Sequence, residues 1–93
     1  MKRLLKTLVF ASLLLFISCG NNPEKSRLYY DKGIDYLYHS QFEEAIEYFD
    51  KAIKFNDKNH EAYFYRGCAK YNIYQKEEAL EDYNKTLEID PEY

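Results

Sequence analysis

The sequence predicts an all-α fold, two tandem helix–turn–helix units behind a short N-terminal export segment. Three observations predict it. From Ser26 onward the chain repeats itself with a period of 34 residues. Within each unit the apolar residues step by three and four, which places them on one face of a helix. The charge is also divided: all 16 Asp and Glu residues lie after position 20, while Lys2, Arg3 and Lys6 open the chain. A length of 93 residues holds one small domain and argues against a self-sufficient enzyme.

The first element is the export segment, residues 1–18. A basic start is followed by an uncharged run over residues 7–18, ending Phe16-Ile17-Ser18-Cys19. Twelve helical residues rise about 18 Å, short of the roughly 30 Å hydrocarbon core, so the pattern is that of a secretory signal peptide. Its end resembles the lipobox of bacterial lipoproteins, with small Ser18 before Cys19 and Phe16 departing from the usual Leu. That resemblance implies cleavage before Cys19, diacylation of its thiol and a lipid anchor, since acyl chains contribute about 0.8 kcal/mol per buried methylene. An ordinary signal peptide that happens to contain Cys is the alternative. Gly20 follows the Cys where inner-membrane retention in enteric bacteria uses Asp, which favours an outer-membrane location.

Residues 19–25 then form the lipidated Cys and a polar, flexible tether. Acylation of Cys19 would leave Cys68 without a partner in the chain, and a lone Cys in an exported protein is expected to be buried as a small apolar residue. Without the leader the charge is 10 basic against 16 acidic residues, or -6. An acidic domain lacking basic clusters excludes nucleic acid as a partner, because that binding depends on phosphate neutralisation.

The two units are residues 26–59 and 60–93. Their alignment pairs Tyr29 with Tyr63, Gly33 with Gly67, Gln41 with Gln75, Glu43-Glu44-Ala45 with Glu77-Glu78-Ala79, Glu47 with Glu81 and Lys51 with Lys85. Conservative pairs include Tyr30 with Phe64, Ile46 with Leu80, Phe49 with Tyr83 and Ile53 with Leu87. Stripes such as Phe42, Ala45, Ile46, Phe49, Ala52 and Ile53 mark the helices. His39-Ser40-Gln41 and residues 72–75 are the expected turns, and residues 56–59 separate the units with cap-type side chains. Asp90-Pro91 ends the last helix, because the residue before proline disfavours helical geometry.

Each unit resembles the tetratricopeptide repeat, a 34-residue helical hairpin that stacks into α-solenoids. The residues that carry the resemblance are Tyr29, Gly33, Ala45, Phe49 and Ala52, then Tyr63, Gly67, Ala79, Tyr83 and Pro91. Lys70 stands where the family often has an aromatic residue, and Tyr74-Gln75-Lys76 where many repeats turn with Gly. The resemblance implies that Gly33 and Gly67 let the paired helices approach, opposite Ala45 and Ala79, with aromatic rings filling the wedge between hairpins. It also implies a concave groove lined by the first helix of each unit: Arg27, Tyr30, Ile34, Leu37 and Tyr38, then Glu61, Phe64, Cys68, Tyr71 and Asn72. Some members clamp chaperone tails with Lys and Asn. Tyr30, Ile34 and Tyr65 stand at such positions here, so no chaperone-tail binding is expected.

No catalytic residues, metal site or cofactor are expected. His39 and His60 have no Ser or thiol arranged around them and read as solvated or capping residues. Asp57, Asn59 and Glu61 begin like a calcium loop, but Ala62 and Cys68 break it. Asn84-Lys85-Thr86 is a sequon only by coincidence, and Glu77, Glu78, Glu81 and Asp82 read as a solvated acidic face. The expected function is a membrane-anchored interaction module of the bacterial cell envelope that binds a protein or peptide. A fragment or accessory subunit of a larger repeat-containing envelope enzyme or assembly is the alternative. Because the second unit ends at Tyr93 without a polar capping helix, the outer side of its last helix is expected to stay exposed and to drive self-association or partner binding.

Overall fold

The computed structural model describes residues 21–93. The leader and Cys19 lie outside the described residues. Four helices follow one another: α1 (Pro23–Tyr38), α2 (Phe42–Phe55), α3 (His60–Asn72) and α4 (Lys76–Ile89), with no strand among the described residues. Each helix packs on the next, so α1 pairs with α2, α2 with α3 and α3 with α4. None of them is long and apolar enough to cross a membrane.

Local chemistry sets the helix ends. Asn22 caps α1 by accepting from the Lys25 N–H at 3.0 Å, and Pro23 occupies the first turn, where its missing N–H does no harm. The Asn22 N–H donates to the Phe55 carbonyl at 2.8 Å, which ties the start of α1 to the end of α2. The helix therefore begins before Ser26, and residues 23–25, expected to be flexible tether, are helical. Asn59 caps α3 by accepting from the Ala62 N–H at 3.2 Å. Gln41 and Gln75 precede α2 and α4 without a side-chain cap, and paired glutamates in each first turn complement the helix dipole instead. Asp90 closes α4 just before Pro91.

The core is built from small residues around a few rings. Ala45, Phe49, Ala52, Ala62 and Ala69 are fully buried, joined by Tyr30, with Ile34, Leu37, Ile46, Ile53 and Tyr65 half-buried around them. The glycines serve the rings rather than the alanines alone. A Cβ on Gly33 would sit 2.6 Å from the Phe49 ring, and one on Gly67 would sit 2.8 Å from the Tyr83 ring. Each aromatic thus lies against the glycine of its own hairpin, a contact beyond the wedge-filling expected from the sequence.

Where the helices of each hairpin converge, a hydroxyl bridges them. In the first unit Ser26 Oγ donates to the Ala52 carbonyl at 2.7 Å. In the second the roles exchange, and Thr86 Oγ1, at the position of Ala52, lies 3.2 Å from the His60 carbonyl, at the position of Ser26. No buried side-chain nitrogen or oxygen among the described residues lacks a partner.

Candidate binding groove

The groove expected from the sequence centres on Tyr30, where α1 meets α3. Tyr30 is 8% exposed. Its O–H donates to Glu61 Oε2 at 3.2 Å, and its ring meets Tyr65 edge-on with centroids 6.1 Å apart. Burial, with the Glu61 carboxylate beside it, pushes the phenol well above its ordinary pKa. It therefore stays a protonated donor that joins the two repeats. The Arg27 guanidinium lies over the same ring at 5.7 Å and pairs with exposed Asp31 at 3.3 Å.

The ten expected residues sort into three groups. Tyr30 and Glu61 hold each other, and Asn72 Nδ2 donates to the Cys68 carbonyl at 2.7 Å, so these three serve structure. Ile34 and Leu37 are half-buried against the core cluster, while Phe64 is half-buried toward Tyr83 and Tyr93 and Cys68 beside Tyr83. Arg27, Tyr38 and Tyr71 are exposed, Tyr38 at 83% and Tyr71 at 55%, and are free to touch a partner. Cys68, expected to be buried, is only half-buried. The Tyr83 O–H lies 3.7 Å from Cys68 Sγ. Burial first, then that contact, pushes the Tyr83 phenol up to about 12.

Three residues at the site escape a reading based on the groove positions alone. Tyr65 stacks edge-on with both Tyr30 and Phe64. Tyr93 returns over the start of α3, its ring 5.2 Å from Phe64 and 5.1 Å from His60. His60 Nε2 in turn lies 3.6 Å from Asp90 Oδ2. Phe64, Tyr83, Thr86, Leu87 and Tyr93 line an open cleft of about 220 Å³. Tyr65 was read only as standing at a clamp position of the groove, an aromatic where the first unit has Asp31, and not as a ring that packs on Tyr30 and Phe64.

Electrostatics correct one further expectation. Asp82 does not belong to a solvated acidic face: it is 3% exposed. Arg66 donates to it through Nε at 2.9 Å and Nη2 at 2.7 Å, and Lys70 Nζ lies 3.0 Å away. Arg66 Nη1 also reaches Asp50 on α2 at 2.8 Å, so one guanidinium links α2, α3 and α4. Burial opposes the Arg66 charge, but the hydrogen bonds to Asp82 and Asp50 outweigh it and hold its pKa above the usual value. This cluster is a clamp between helices. Among the described residues no three His, Cys, Asp or Glu side chains converge as metal ligands.

The comparisons agree with this geometry. Tetratricopeptide repeat family models match residues 26–59 and 60–93. The uncharacterized protein MJ0572 of Methanocaldococcus jannaschii is 33% identical over 69 residues, 74% of this chain and 80% of that protein. Human tetratricopeptide repeat protein 6 is 45% identical over 38 residues, 41% of this chain. Human sperm-associated antigen 1 is 31% identical over 70 residues, 75% of this chain. The chain spans only 7% and 8% of those two human proteins. Among solved structures, the TPR2AB domain of yeast Sti1 in its pHSP90 complex superposes with a TM-score of 0.78 and 27% identity, over 96% of this chain and 36% of that one. The repeated hairpin, the glycine–ring contacts and both family matches lead to one conclusion: the chain belongs to the tetratricopeptide repeat family.

Proposed function

We propose that this chain is a non-enzymatic protein-interaction module, held on a bacterial membrane by lipid on Cys19, that receives a protein or peptide segment along α1 and α3. One observation carries the reading. The first helix of each repeat exposes side chains suited to contact, Arg27 and Tyr38 on α1 and Tyr71 on α3, and leaves Ile34, Leu37, Phe64 and Cys68 half-buried. Tyr is well suited to such contacts, since it offers a large area, few rotatable bonds and a polar tip. The Sti1 neighbour is seen with pHSP90. In this chain Tyr30 and Tyr65 are rings committed to each other and Ile34 is aliphatic. The partner is accordingly a segment with apolar or aromatic side chains rather than a carboxylate tail.

Two experiments test this. Cross-linking from envelopes should capture a partner that Tyr38→Ala combined with Tyr71→Ala loses; capture that survives the double change sinks the groove reading. Cys19→Ala should abolish incorporation of a labelled fatty acid, and persistent labelling rejects the anchor and with it the outer-membrane location. A second reading, a subunit of a larger repeat-containing envelope assembly, is favoured by the outer face of α4, where Leu80 and Leu87 are exposed.

A further inference from the structure

The start of α1 constrains how the domain stands on a membrane. Because α1 begins at Pro23 and is capped by Asn22, only residues 20 and 21 separate the cap from Cys19. Three residue steps span at most about 11 Å when fully extended. The Asn22 N–H is tied to the Phe55 carbonyl, and Asn59 Nδ2 donates to Ser26 Oγ at 3.1 Å. The start of α1, the end of α2 and the start of α3 therefore form one end of the molecule. A lipid on Cys19 holds this end against the bilayer, whose headgroup zone is about 5–7 Å deep on each side.

The charges fit that placement. At this end of the first repeat, residues 22–28 and 51–61 hold five lysines and arginines against three acids. At the turn end of the hairpins, residues 35–47 and 69–81 hold seven acids against two lysines. Residues 85–93 hold three acids and one lysine, so the cationic surface belongs to the first repeat, beside the anchor. Most cations of the domain pair with a carboxylate or lie over a ring, as Lys25 does over Phe55 at 5.2 Å. Lys54 and Lys58 are exposed and do neither among the described residues. Lys58 and Arg27 also line an open cleft of about 280 Å³ with Asn56, Asn59 and His60. The Glu61 carboxylate lines it too, and already accepts from the Tyr30 O–H.

We propose, building on the lipid anchor at Cys19, that this end of the first repeat rests on anionic lipid headgroups. Lys54 and Lys58 pair with their phosphates, and the cleft beside Lys58 receives one of them. The same surface repels the acidic turn end, so the helices stand away from the membrane rather than lying along it. Tyr38 and Tyr71 lie 15 and 11 residues past the starts of α1 and α3. That carries them roughly 22 and 17 Å from the membrane end, where a partner can reach them.

The test places the full chain, purified from a bacterial host, in nanodiscs of phosphatidylcholine with or without phosphatidylglycerol, a few headgroups carrying a nitroxide. Amide NMR signals of residues 22–25 and 54–60 should broaden, and those of residues 38–41 and 72–75 should stay sharp. The broadening should fall about threefold or more without phosphatidylglycerol, and equally with Lys54→Glu and Lys58→Glu made together. High salt should do the same with no substitution at all. Intact mass reports acylation of Cys19 on the same sample. An unacylated Cys19 overturns the anchor and this proposal with it. An acylated chain that broadens equally at both ends, or whose broadening ignores phosphatidylglycerol, charge reversal and salt, overturns this proposal and leaves the anchor standing.

Discussion

The two repeats share a backbone plan but fill one set of equivalent positions with opposite chemistry. In the first, Tyr36 on α1 stacks on Tyr48 of α2, centroids 5.2 Å apart, with the ammonium groups of Lys32 and Lys51 over the Tyr48 ring at 5.8 and 4.8 Å. In the second, the counterparts of Tyr36, Tyr48 and Lys32 are Lys70, Asp82 and Arg66, a buried ion cluster. The first solution is self-contained, because rings and ammonium groups attract even when half-hydrated. The second is all or nothing. Buried charges must be matched completely, since their desolvation is offset only by full pairing. Arg66 achieves this partly by borrowing Asp50 from the first repeat. The ion cluster thus couples the repeats, whereas the tyrosine stack holds only its own hairpin.

The sharpest way to break this contrast is Asp82→Ala. It strands Arg66 and Lys70, and should reduce stability by about 3–5 kcal/mol in urea unfolding. Tyr48→Ala, which removes half of an exposed-edge stack, should lose only about 1–2 kcal/mol. Equal losses would show that the two solutions are energetically alike. Replacing Lys70 and Asp82 together by Tyr should lose less than Asp82→Ala alone.

Next comes the glycine pair. Gly33→Ala drives a Cβ into the fully buried Phe49 ring. It should destabilise by about 2 kcal/mol. Gly67→Ala meets the Tyr83 ring at 2.8 Å and the Ala79 carbonyl oxygen at 3.2 Å, but Tyr83 is only half-buried, so with the higher helix propensity of Ala the loss should be smaller than at Gly33. Thermal melts of the two variants separate the cases, and a larger loss at Gly67 would contradict the packing described here.

The turns provide a smaller, stabilising change. Ser40 and Tyr74 occupy equivalent places with φ of 57° and 67°, a left-handed backbone disfavoured for bulky residues. Tyr74→Gly should raise stability by about 1 kcal/mol, and Ser40→Gly by less. An unchanged urea midpoint for Tyr74→Gly would mean that the turn carries no strain.

The smallest effect appears only in alkaline solution. Tyr83 is raised to about 12 in the folded chain from an ordinary 10. The folded state therefore keeps a proton that the unfolded chain releases, and this contribution to stability is present below pH 10 and lost as pH rises through about 12. Tyr83→Phe makes the second repeat resemble the first, where Phe49 stands, and should flatten that fall. An unaltered alkaline profile would assign the titration to other groups such as Tyr30.

Helix number, turn positions and repeat register were legible because they depend on local spacing and on residues that act within a few positions, such as Asn59 before α3 and Pro91 after α4. The half-burial of Ile34 and Leu37 and the exposure of Tyr38 and Tyr71 follow from the same helical spacing. The pairing of Tyr30 with Glu61 was not legible, because they find each other 31 residues apart. Asp82 was misread because its neighbours in sequence, Glu77, Glu78 and Glu81, are acidic and exposed, while its real neighbours are two cations on another helix.

By itself, then, the sequence determined two 34-residue hairpins, the breaks between their helices and the apolar face that most of them turn inward, since helical periodicity and turn chemistry are local. Only the tertiary structure decided that Tyr30 joins the repeats rather than a ligand, that Gly33 makes room for Phe49, and that Arg66 links three helices. Those outcomes depend on which side chains meet across helices, and on whether a buried charge finds every partner it needs.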